Sequence, residues 1–252
     1  MRVVVAESGD AAGRVAADVV ERFIGDSVSP ALGLATGETM QAVFSELVRR
    51  HRENGLSFAG VHAFLLDEYL DLDRRDPCAY RNVAHRVLAR HVDIGPDAVH
   101  GPDPPAADLD AECARYEREV RDAGIGLQLL GIGCNGHIAF NEPGSPLDST
   151  TRVVALSDRT RADNARFFPD TQPVPDRAIT QGLATIGAAG ELVLLACGRH
   201  KAAAVARAVE GPVTADLPAS AVQLHANVTV VLDPAAASGL GCRPVAPGAP
   251  GF

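Results

Sequence analysis

Apolar runs of strand length alternate with segments of helical period along almost the whole of this chain, and that alternation restricts its fold more than any other feature. "RVVVAES" precedes "AAGRVAADVVERFIG", in which Val15, Val19, Val20 and Phe23 recur at helical spacing. "PALGLAT" leads into "ETMQAVFSELVRRHREN", with Met40, Val43 and Leu47 on one face. "VHAFLLDEYL" is followed by a polar stretch and "AYRNVAHRVLARHV". Then come "LQLLGIG", "RVVALSD", a helical "RTRADNARFF", "ELVLLAC" with "RHKAAAVARAVEG", and "NVTVVLD". Strands apolar on both faces belong inside a parallel sheet covered by helices. The pattern therefore predicts an α/β fold with a doubly wound, mostly parallel sheet and helices on both faces, Rossmann-like in outline. With 252 residues, 46% of them apolar, the chain suits one domain over residues 1–240 and a Pro/Gly-rich tail over 241–252. The tail "RPVAPGAPGF" and the loop "GPDPPAAD" are the candidates for disorder.

Charge and cysteine content remove several function classes. A net charge of −9 offers no basic footprint for nucleic acid, and no apolar run approaches the ~20 residues of a membrane span. "MRVVVAESGD" reads as a strand and turn and not as a secretory leader, so a cytoplasmic location is expected. The five cysteines are scattered without C-x-x-C spacing, which indicates reduced thiols and neither a zinc site nor a redox pair. Lys201 is the only lysine beside many arginines. It marks either a place that needs a compact three-donor ammonium or a chance survivor on a helix surface.

In doubly wound sheets ligands bind beyond the carboxyl ends of the strands. Four such ends carry polar residues: "LATGET", "LLDE", "GIGCNGH" and "ACGRHK". Thr36, Gly37 and Thr39 at the start of a helix suit an anion, though Thr and Gly are also ordinary turn and cap residues; Glu38 there would repel a phosphate unless it turns away. Asp67 and Glu68 point to opposite faces of a strand, so one of them at most reaches a given pocket, as general base or as cap. In "GIGCNGHIAFNEPGS", Gly131, Gly133 and Gly136 allow a sharp turn beside His137, and Glu142 follows within reach of the imidazole. "GIGCNG" has the spacing of a dinucleotide fingerprint, but "HIAFNEPGS" is a poor start for the helix which that motif requires.

"LGLATGET", "FLLDEYL", "GIGCNGHIAFNEPGS", "TRADNARFF", "GRHKAAAVARAVEG" and "VQLH" together resemble the glucosamine-6-phosphate deaminase family, over roughly residues 1 to 235. "GHIAFNEP" is the most specific element and separates this branch from the related 6-phosphogluconolactonases. The resemblance implies conversion of an aminosugar phosphate to fructose 6-phosphate and ammonia without metal or organic cofactor. It implies that His137, held by Glu142, opens the sugar ring and that Asp67 moves the C2 proton to C1. The Thr36 to Thr39 loop, Arg166 and Lys201 would hold the phosphate. A homo-oligomer is compatible with this reading.

Three departures stand out from the family pattern. Asn135 occupies a position where many members carry Asp; an amide can orient an imidazole but not share its charge. Glu38 and Met40 stand where the family usually has Gly or Ser and then Pro, which puts the phosphate loop in question and raises an altered sugar that meets Glu38. Ser145 and Arg152 resemble part of an allosteric site for an N-acetylated aminosugar phosphate, but Val154 replaces a basic residue, so weak or absent activation is expected. Alternatives are a sugar-phosphate lactonase in which His137 activates water, and a non-catalytic sugar-phosphate sensor.

Overall fold

A computed structural model of the chain describes residues 1–104 and 106–241. Its frame is a seven-stranded sheet in which every neighbouring pair is parallel. The strands are β1 (Arg2–Val5), β2 (Ala31–Leu34), β3 (His62–Leu65), β5 (Val99–His100), β6 (Leu127–Gly131), β9 (Glu191–Ala196) and β10 (Val228–Leu232). Their spatial order is β1-β10-β9-β6-β2-β3-β5. The four central strands β10, β9, β6 and β2 are buried almost throughout, as their continuous apolar sequences require.

The order reverses direction once. From β1 the chain moves through α1 (Gly9–Asp26) to β2, then through α2 (Glu38–Asn54) to β3 and through α3 (Tyr80–Val87) to β5, always toward the same edge. After β5 it returns through α4 (Leu109–Ala123) to β6, and later from β9 through α7 (Ala202–Glu210) to β10, toward the opposite edge. Right-handed crossovers in opposite directions place the two sets of helices on opposite faces. The packing agrees: α1 lies on α2 and α2 touches α3, while α4 touches α6 (Leu183–Gly187), and α6 and α7 share the 3-10 segment Pro218–Leu224. The loops after the adjacent strands β2 and β6 thus leave toward opposite faces and open a crevice between them.

The chain departs from the sequence reading in three places. "VHAFLLDEYL" is not one strand. It breaks at Leu66, and Asp67–Tyr69 becomes β4 of a separate antiparallel sheet ordered β4-β8-β7, with β7 (Arg152–Ala155) and β8 (Arg177–Thr180). "RVVALSD" accordingly supplies an antiparallel strand outside the main sheet. The elements β5, β8, α4 and α6 carried no sequence expectation. The loop "GPDPPAAD", a candidate for disorder, is fastened where it is described: Gly101 accepts from Arg81 and Arg115, Arg74 pairs with Asp103, and the Asp103 N–H donates to Glu112. Of the predicted tail, residues 242–252 lie outside the described residues. Among the described residues no helix is long and apolar enough to cross a membrane.

Candidate active site

The loop after β2 meets the loop after β9. Gly37 precedes α2 without any side-chain cap, so the first N–H groups of that helix face outward for an anion or solvent. Lys201 ends a 3-10 turn after β9, and its Nζ donates to Thr39 Oγ1 at 3.1 Å. Burial pulls the Lys201 ammonium below its ordinary value. Thr36 Oγ1 is buried and has no hydrogen-bond partner among the described residues, which fits a hydroxyl awaiting a ligand. Arg166, in the turn after α5 (Asp158–Asn164), lies with Nη2 2.8 Å from Glu38 Oε2 and its guanidinium over the Phe167 ring. Glu38 therefore turns to a cation. Met40 is buried in the core at 1% exposure, so its replacement of proline is a packing matter beneath the loop.

Asp67 and Glu68 divide as strand alternation demands. Glu68 accepts the backbone N–H groups of Tyr69, Tyr80 and Arg81 at 3.0, 2.8 and 2.9 Å and so caps α3. Asp67 turns the other way into the crevice, buried to 7% exposure. Burial, reinforced by the negative charge of Glu68, pushes its carboxyl well above the usual carboxylate range.

The turn after β6 is built around the His137 ring. A Cβ at Gly133 would collide with the imidazole, so glycine there makes room for it. Gly136 adopts φ 86°, a left-handed conformation, with Leu217 packed against it. The segment beyond contains no helix before α5, contrary to what a dinucleotide fingerprint requires. The two amides of the motif differ in task. Asn141, fully buried, donates to the carbonyls of Ile138 and Gln181 and accepts from Arg152, stapling the turn to the end of β8. Asn135 accepts the His137 backbone N–H at 3.2 Å and donates to Glu142 Oε2 at 2.8 Å. Glu142 also accepts from the Ser157 hydroxyl at 3.0 Å.

Glu142 Oε2 lies 4.0 Å from His137 Nδ1, close enough for attraction but too far for a hydrogen bond, and that nitrogen has no partner among the described residues. Burial lowers the His137 pKa while the Glu142 charge works to raise it. Burial also opposes the charge of Glu142, but the surrounding Thr160, His137, Asn135 and Ser157 outweigh it and hold the carboxyl below its ordinary value. Asn135 thus reaches the imidazole through the backbone and through Glu142, not by the direct side-chain contact that its type suggested.

One cavity of about 780 Å³ gathers Thr36, Gly37, Glu38, Thr39, Asp67, His137, Arg166 and Lys201. Asn135 and Glu142 stand behind His137 and do not line it. Sequence reasoning missed Asp233, whose carboxylate accepts the Gly198 N–H at 3.0 Å and so shapes the turn that presents Lys201. Its signal was present, a polar residue ending the apolar run "NVTVVLD". Also missed was the hydroxyl relay in which Tyr80 of the cavity wall donates to Tyr69, itself bonded by Asn164. Tyrosine inside an apolar run carries no such signal. A second cavity of about 450 Å³ lies on the far side of Glu68, lined by Arg74, Arg81, His100 and Arg115. None of the expected site residues reaches it.

A family model described as glucosamine-6-phosphate isomerases/6-phosphogluconolactonase matches residues 6–231. The glucosamine-6-phosphate deaminase of Beutenbergia cavernae is 50% identical over 94% of this chain and 92% of its own length. That of Mycolicibacterium smegmatis is 49% identical over 95% and 93%. A solved structure described as a monomeric glucosamine-6-phosphate deaminase superposes with a TM-score of 0.92 at 41% identity, covering 95% of this chain and all of that one. The 6-phosphogluconolactonase of Leishmania guyanensis gives a TM-score of 0.76 at 23% identity over 96% and 99%, a likeness of fold alone. On sequence, fold and the arrangement of its crevice, the chain belongs to the glucosamine-6-phosphate isomerase and 6-phosphogluconolactonase family.

Proposed function

We propose that this protein converts glucosamine 6-phosphate, or a close relative, to fructose 6-phosphate and ammonia by acid–base catalysis. The observation that carries the reading is that Asp67 and His137 open into one cavity with the Thr36–Thr39 loop, Arg166 and Lys201. The phosphate would sit at the N-terminus of α2 between the two cations, with Lys201 as a point charge and Arg166 as a fork. His137 would shuttle the proton between the anomeric hydroxyl and the ring oxygen, with Glu142 stabilising its charged form. Asp67, made more basic by burial, would take the C2 proton, exchange it with solvent, and deliver a proton to C1. Water then replaces nitrogen at C2, leaving a ketone and ammonia. Each acid–base group of this kind contributes roughly 10² to 10⁴ in rate.

Deaminase relatives near 50% identity support this reading over lactone hydrolysis. So does Asp67, since a lactonase needs one base for water and this cavity holds a buried carboxylate besides the imidazole. A doubly charged sugar phosphate does not cross a bilayer unaided, and we place the reaction in the cytoplasm with its substrate. The test is a paired assay. Glucosamine 6-phosphate should yield ammonia and ketose one for one, while 6-phosphogluconolactone is not hydrolysed; acid release from the lactone without ammonia from the aminosugar would reject the proposal.

A further inference from the structure

Glu38 introduces a negative charge at the one place where the cavity is built for a dianion. Its carboxylate sits 2.8 Å from Arg166 Nη2, and among the described residues this is the only ion pair of that guanidinium. The two side chains come from opposite lips of the cavity. Glu38 opens α2, whereas Arg166 lies in the turn after α5, whose last residue, Asn164, is bonded to the Tyr69 hydroxyl. Both are more than half exposed, so the pair is solvated and exchangeable and not a locked structural bridge. Lys201, on the inner side, already leans on Thr39.

We infer that Glu38 is a built-in competitor of the substrate's phosphate for Arg166, and so sets the strength and charge selectivity of the phosphate subsite. The inference rests on the function proposed above. Lys201 and Arg166 bring two positive charges, and Glu38 cancels one of them. An incoming phosphomonoester must then take Arg166 from Glu38 and tolerate that carboxylate nearby. The consequence is a weaker hold on substrate and product alike, with faster release of the ketose phosphate. An altered sugar whose hydroxyl or amine meets Glu38 is the competing explanation, and it predicts weaker substrate binding in Glu38→Gln.

The experiment measures binding of inorganic phosphate and of fructose 6-phosphate by calorimetry, with the apparent KM for glucosamine 6-phosphate alongside. It uses the full chain and its Glu38→Gln, Arg166→Gln and doubly substituted variants. Glu38→Gln should tighten both ligands and lower KM by roughly three- to ten-fold in low salt, the gain shrinking as salt screens the charge. In the Arg166→Gln background the same change should gain less than two-fold, because the residue competed for has gone. Unchanged or weaker binding in Glu38→Gln, or an equal gain without Arg166, overturns the inference. Its fate is separable from that of the function. Phosphate binding without aminosugar turnover rejects the reaction and still reads out Glu38, whereas turnover with no tightening in Glu38→Gln rejects the competitor alone.

Discussion

Asp67 and Glu68 are neighbours whose environments make them opposites. Both are buried, at 7% and 3% exposure, and burial raises both carboxyls. Glu68 has three N–H donors to offset that penalty, and Asp67 has the open cavity. A carboxyl whose folded pKa lies above its unfolded one binds protons more readily when folded. The ionised form of Asp67 therefore opposes folding, a cost that shrinks as pH falls through the raised value and is gone below the ordinary carboxylate range. Replacing Glu68 by Gln removes the charge beside Asp67 and weakens the cap on α3. The expected result is a loss of about 1–2 kcal/mol in urea unfolding and a shift of the acid limb of kcat/KM to lower pH. An unmoved limb would show that Asp67 does not govern it. Strand alternation in the sequence separates the two acids, but it cannot say which one faces the cavity, because that depends on where the chain leaves the main sheet.

The loop proposed to hold the phosphate inherits its position from α2, and α2 is held to α1 by a charged seam. Arg50, only 8% exposed, reaches Asp18, Glu21 and Glu46 at 2.7, 2.6 and 2.8 Å. Hydrogen bonding from Arg49, against the penalty of burial and with further help from Arg50, lowers the Glu46 carboxyl to about 2. A lowered acid stabilises the fold above its unfolded pKa, and that contribution is lost as pH falls through the folded value. Arg50→Leu should therefore cost on the order of 2 kcal/mol at pH 7 and much less near pH 2, as urea melts at the two pH values would show; an equal loss at both would assign the effect to packing. The helical periods of α1 and α2 announced these elements clearly. The charged seam was not predictable, since four scattered charges signal nothing until two helices are laid together. Short elements escaped for a related reason: β5 and β8, of 2 and 4 residues, are too brief for a period, and α4 presents only the narrow apolar stripe Cys113, Tyr116 and Val120 among charges.

For the whole molecule, the decisive feature is the single reversal of strand order between β2 and β6, which opens the crevice that the ends of several strands share. Alternating apolar runs and helices were enough to predict that sheet and the strand ends at which polar residues gather. They could not foresee that Asp67 belongs to a second, antiparallel sheet, because pairing with β8 is a long-range choice that leaves no local mark. The proposed reaction depends on this convergence: an acid from the small sheet and an imidazole from the turn after β6 would act on the same sugar. The most direct test is solvent exchange in deuterium oxide. The protein should place deuterium at C1 of the fructose 6-phosphate it forms from glucosamine 6-phosphate, and Asp67→Asn should lose at least ~10²-fold of that labelling while still binding fructose 6-phosphate. Labelling at an undiminished rate in Asp67→Asn would contradict the account.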